Sequence, residues 1–194
     1  MQLSTALKKA DLTIKHGKLN AVSLNDSHIT SKDATITIHS GIFLKIDSDG
    51  SEMILNNMQN LDLNSNKDHI DILKSAGISG TIKHSKIFLK NLGGEATLRL
   101  HYGELRILKH LTNSPNINID QKEAEVYINI SETDFMFSAK LEQGVLRIPK
   151  KMNNIESEMI KRREKIRRIS ASYGNRKGKI SCTVYKGVII LKEL

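Results

Sequence analysis

Tryptophan is absent, and the 194 residues hold only four Phe, four Tyr, two Pro and one Cys. With so few large aromatic side chains, the core has to be assembled from Ile, Leu and Val, which suits a thin interior. A single cysteine, Cys182, excludes an intrachain disulfide and a multi-cysteine zinc site. It stands in phase with Ile180 and Val184, so it reads as a small buried apolar residue and not as a nucleophile. No apolar run approaches the ~20 residues of a membrane-spanning helix. The first nine residues, Met1 to Lys9, lack the basic start and apolar stretch of a signal peptide. An exported mature region and a cytoplasmic protein are both compatible with that start.

What is present is a repeated turn and strand. Tyr102-Gly103-Glu104-Leu105-Arg106-Ile107 joins a turn glycine to alternating apolar and polar residues, the period of a strand with one buried face. Related units begin at Gly17, Gly41, Gly80, Gly144 and Gly187. Their spacing falls near one or two multiples of about twenty residues, the scale of one solenoid coil. Short alternating runs bounded by Gly, Asn, Asp or Ser continue through most of the chain, which is the pattern of an all-β protein. The expected architecture is a single-domain, right-handed, single-stranded β-solenoid over residues 11–194, after a helical or frayed lead-in at 1–10. A β-sandwich is the alternative, disfavoured by the number of strands and the scarcity of aromatics. Residues 153–169 stand apart. Ile155, Met159, Ile166 and Ile169 lie among many charges, as in a short amphipathic helix or a long basic loop.

Three stretches carry a family likeness. Ala124-Glu125-Val126-Tyr127-Ile128-Asn129-Ile130 is followed by Phe135-Met136-Phe137-Ser138-Ala139 and then by Gln143-Gly144-Val145-Leu146-Arg147-Ile148. With the closing Ile180 to Val184 and Lys186 to Leu191, this resembles the bacterial adhesin-type β-strand-repeat family, whose members are auto-transporter adhesin-like β-solenoids. The resemblance implies a β-solenoid that is secreted or held on a cell envelope. It supplies no catalytic residues. It also implies adhesion, scaffolding or glycan binding as the function class, with no cofactor.

The formal charge of +9 is concentrated. Lys150 to Lys179 holds eleven Lys and Arg against three Glu. Lys161, Arg162, Arg163, Lys165, Arg167, Arg168, Arg176, Lys177 and Lys179 are therefore the candidate binding patch, for an acidic glycan or another anionic cell-surface polymer. Nucleic acid is disfavoured because Tyr173 is the one aromatic residue close to the patch for stacking. Exposed solenoid edges add a second class of partner, another copy of the chain.

Four of the seven histidines, His16, His39, His84 and His101, each follow a short strand just before a turn. Stacked in successive coils they would line one edge and offer imidazoles to zinc or copper, although no Cys or carboxylate completes a ligand set. Asp47-Ser48-Asp49-Gly50-Ser51-Glu52 opens like a calcium loop but lacks the later ligands, and reads as an Asp-Gly turn. Asp68 and Asp71, flanked by Lys67 and Lys74, are the nearest approach to the paired carboxylates of a carbohydrate-active enzyme.

Overall fold

A computed structural model describes residues 1–193 and is all-β. The chain winds into a β-solenoid of about seven turns, with parallel strands stacked rung on rung. The first two coils are built from β1 (Gln2–Leu7), β2 (Ala10–Lys15), β3 (Lys18–Leu24) and β4 (Ser27–Lys32). Longer strands then turn the corners without a break: β5 (Thr35–Asp49), β6 (Glu52–Asn66), β7 (His69–Leu89), β8 (Leu92–Ile107) and β9 (Asn116–Asn129). Facing residues in adjacent rungs are 17 apart through the middle coils, as in the Asn56–His39 and Asn66–Asp49 hydrogen bonds. The repeat widens to 21 between β8 and β9.

The 17-residue register explains why aliphatic residues suffice. Leu19 stacks on Ile36, Ile36 on Met53, and Met53 on Ile70. The same column resumes as Ile87, Leu105, Val126 and Ile189. All eight are buried. Each rung covers the apolar face of the next, about 4.8 Å away, so no side chain needs to reach across a wide core.

One corner is made the same way in every coil. His16, Asp33, Gly50, Lys67, His84, Tyr102, Glu123 and Lys186 all have φ between 48° and 69°, the left-handed region. Only one of these eight is glycine, so the stacked backbone enforces the turn against the usual preference of L-residues. Gly80 is a different case: a Cβ there would lie 2.0 Å from the Leu63 carbonyl oxygen, which no side chain can satisfy.

The last coils depart from simple winding. After β9 come β10 (Phe135–Glu142) and β11 (Val145–Arg147), then β12 (Asn153–Lys161), β13 (Ile166–Tyr173), β14 (Gly178–Tyr185) and β15 (Val188–Lys192). The rung next to β9 is not β10 but β14, and β15 continues it. β10 and β11 lie one rung further out, parallel to β14 and β15. β13 then adds antiparallel to the outer side of β10, and β12 adds antiparallel to β13.

Two sequence expectations are corrected here. Residues 1–10 are no helical or frayed lead-in: Gln2 to Leu7 pair in parallel with β3, and Asn20 donates its N–H to the Met1 carbonyl at 3.0 Å. Residues 153–169 form neither helix nor long loop but the strand pair β12–β13. The misleading signal has a physical cause. All nine residues of β12 are exposed, so no buried face imposed a period of two on its sequence. The coil itself is 17 residues through the centre, shorter than the twenty inferred from glycine spacing.

Candidate functional site

The β12–β13 hairpin carries the basic segment beyond the last rung. Its turn, residues 162–165, is exposed, as are all of β12 before it and Arg167 and Arg168 after the buried Ile166. Lys161 reaches Glu164 at 3.1 Å, and Arg168 lies 4.0 Å from Glu158. Arg162, Arg163, Lys165 and Arg167 have no acidic partner among the described residues. Four uncompensated cations therefore sit on one projecting turn and the strand behind it. Exposed Met159 and Ile160 adjoin them on β12.

The predicted patch divides. Lys161, Arg162, Arg163, Lys165, Arg167 and Arg168 remain together at the tip end. Arg176 and Lys177 occupy the loop after β13, and Lys179 is the second residue of β14, at the opposite end of the eight-residue β13. At ~3.3 Å per residue that separates the two groups by roughly 20 Å. One patch becomes two, and the larger is the hairpin tip.

The histidine edge does not form. His16 and His84 do occupy the left-handed corner, but three other corner residues, Asp33, Gly50 and Lys67, stand between them, a span of ~19 Å at ~4.8 Å per rung. His101 precedes the corner residue of its own coil, Tyr102. His39 lies on another face, 3.0 Å from the Asn56 side-chain nitrogen. His16 and His84 are too far apart to share a metal ion at ~2 Å bond lengths, and among the described residues no group of three or more His, Cys, Asp or Glu side chains could hold one. His84 instead stacks on Tyr102 with ring centroids 4.9 Å apart.

The candidate carboxylate pair also separates. Asp68 points inward and is buried, while the Asp71 side chain is 56% exposed on the outer surface. Asp68 accepts hydrogen bonds from the Ser65 hydroxyl (2.6 Å), the Ser51 amide (2.6 Å), the Asn66 amide (3.1 Å) and the Ser48 hydroxyl. A carboxylate so enclosed reaches no substrate and holds a corner together. Gly50 takes a corner in place of any calcium loop.

A lateral groove of about 510 Å³ went unread in the sequence. It runs along one side of the first six coils, past Asp11, His28, Phe43, Asn60, Asp62 and Glu95. His28 Nε2 and Asp47 Oδ2 are 2.6 Å apart, and Asn64 donates to the other Asp47 oxygen at 2.8 Å. Burial pushes the Asp47 carboxyl up, but those two hydrogen bonds and the charges of Lys45 and His28 together hold it below its ordinary value. The groove also holds Asp26, against Lys9 and Lys45, so its lining is acidic whereas the hairpin is basic. Its residues come from coils that are distant in sequence, and only the 17-residue register aligns them. Cys182 is buried, and burial pushes its thiol up to about 12, which leaves no reactive thiolate.

Fold and surface together define a β-solenoid with a basic terminal hairpin. Comparison with protein-family models, with curated proteins and with solved structures finds no match. Among the described residues no helix is long and apolar enough to cross a membrane.

Proposed function

We propose that this chain is a non-catalytic binding module of the bacterial cell envelope or exterior, in which a rigid solenoid presents the β12–β13 hairpin to an acidic glycan. The observation that carries the reading is the hairpin tip, where Arg162, Arg163, Lys165 and Arg167 project without a carboxylate to neutralise them. Fixed cations on a rigid support bind a polyanion without first breaking internal ion pairs, and they avoid much of the ordering cost. The adhesin-type likeness of the closing third supports the placement outside the cytoplasm. The separation of Asp68 from Asp71 removes the motive for a polysaccharide-cleaving enzyme.

The test is retention of the full chain on immobilised polygalacturonate across a salt series. Retention should weaken steeply with salt, because exposed charges interact over only ~8–10 Å at physiological ionic strength. Arg162→Glu/Arg163→Glu/Lys165→Glu should lower affinity at least ~10-fold and flatten the salt dependence. Arg176→Glu/Lys177→Glu, at the other end of β13, should cost much less. Equal loss from both variants, or from neither, refutes docking through the tip.

A further inference from the structure

The order of the final rungs points to a partner. β14 and β15 fill a slot between β9 on one side and β10–β11 on the other, and they are paired along both edges. The two walls of that slot match each other. Asn116 and Met136 both face Lys179, and Glu125 and Val145 both face Val188. Asn116 and Met136 are therefore 20 residues apart, and so are Glu125 and Val145. That falls within the 17 to 21 residues of the other coils. The chain up to β11 thus has the register of an unbroken solenoid, and the last rung is inserted into it.

The inserted rung is joined to the preceding strand by one short loop and is paired along both of its edges. It follows an exposed loop in which Gly174 and Arg176 both take left-handed φ. That loop is held by Asp134, which accepts the Asn175 amide at 3.0 Å. Ile180, Cys182, Val184, Ile189 and Leu191 are all buried in the slot. A rung that leaves the slot exposes five apolar side chains, and the best replacement cover is an identical slot in another molecule. All of its sheet partners are distant in sequence, so it docks late in folding, when a second chain can compete for the place.

We propose that β14–β15 is an exchangeable rung, and that two copies of the chain associate by seating these strands in each other's slot. The loop at 174–177 is the hinge, and each hairpin stays with its own β10. The inference does not depend on the glycan reading, since it concerns which chain fills the slot.

The lone cysteine makes this testable in the full-length protein. Cys182 faces Ala139 on one wall and Ile119 on the other. Adjacent strands ~4.8 Å apart permit a disulfide, whereas walls two rungs apart do not. One protein carries Ala139→Cys with Cys182→Ser, and the other is unaltered. They are mixed and incubated with oxidised glutathione as oxidant. In a self-seated variant the introduced thiol faces the introduced serine. In a self-seated unaltered chain Cys182 faces Ala139, so neither thiol finds a partner. Exchange brings the introduced thiol of one molecule against Cys182 of the other. The mixed disulfide should then exceed either homodimer at least ~10-fold, because buried thiols do not pair at random. It should also grow with protein concentration. Ile119→Cys with Cys182→Ser repeats the test on the other wall. The chain carrying Ala139→Cys alone, with Cys182 retained, should oxidise and verifies that the geometry permits the bond. If that chain oxidises internally and the mixtures yield no mixed disulfide, the proposal is wrong.

Discussion

Asp68→Ala should lower the free energy of unfolding by about 4 kcal/mol. The side chain sits where three coils meet on the inside of a corner. Two hydroxyls, Ser48 and Ser65, and two amides, Ser51 and Asn66, donate to its oxygens. The Asp68 amide donates to Ser85 at 3.0 Å, and Ser65 and Ser85 are themselves 2.8 Å apart. Alanine would strand several buried donors, and each such loss costs about 1–3 kcal/mol. Asp71→Ala, three residues on and exposed, should change stability by less than ~0.5 kcal/mol. Urea titration of both variants checks the pair, with an unchanged slope for Asp68→Ala indicating a change of stability and not of the denatured state. Equal effects would mean that Asp68 does not face the interior.

Stability should also fall between pH 6.5 and about 4, by about 3 kcal/mol, through His110. This histidine follows β8 and bridges to Leu92 in the coil before it. It is 9% exposed, and its Nε2 has no hydrogen-bond partner. Burial pushes the imidazole down to about 4, only partly offset by its hydrogen bond to the Asn129 backbone. The unfolded chain takes up this proton near pH 6.5, well before the folded one does. The unfolded state therefore binds more protons throughout that window, and stability declines as pH drops through it. His110→Leu should flatten this part of the curve and leave the steeper loss below pH 4, where carboxylates protonate. A profile in the variant that keeps the same slope from 6.5 to 4 would assign the effect elsewhere.

The solenoid could be read from the sequence because its core is a one-dimensional repeat. Leu19, Ile36, Met53 and Ile70 recur at a fixed interval, and the alternation around each shows which face is inside. Where the repeat is enforced by burial, the residues declare it. β12 shows the converse, since a strand with no buried face leaves its residues free to mimic a helix. The histidines misled for a related reason. His16 and His101 both stand close before a glycine in the sequence, but one is the left-handed corner residue and the other comes just before it. A one-residue offset in a strand turns a side chain to the opposite face. The Asp68 network did leave a trace, with Ser31, Ser48 and Ser65 at the coil interval and Ser51 and Ser85 one coil to either side of Asp68. Polar residues at core positions look like loops until the register is known. The groove and the inserted rung had no local signature, because both are made by segments that meet only after winding.

The constant 17-residue register of the middle coils has an evolutionary consequence. An in-frame duplication of one such coil would supply its own core residue, its own left-handed corner and two edges that match their neighbours. It would lengthen the molecule, and the lateral groove along it, by ~4.8 Å while leaving the face of the first coil at one end and the hairpin at the other intact. The distance between those two surfaces is thus a quantity that replication errors can adjust in uniform increments, like links added to a chain gauge, without any residue at either end having to change.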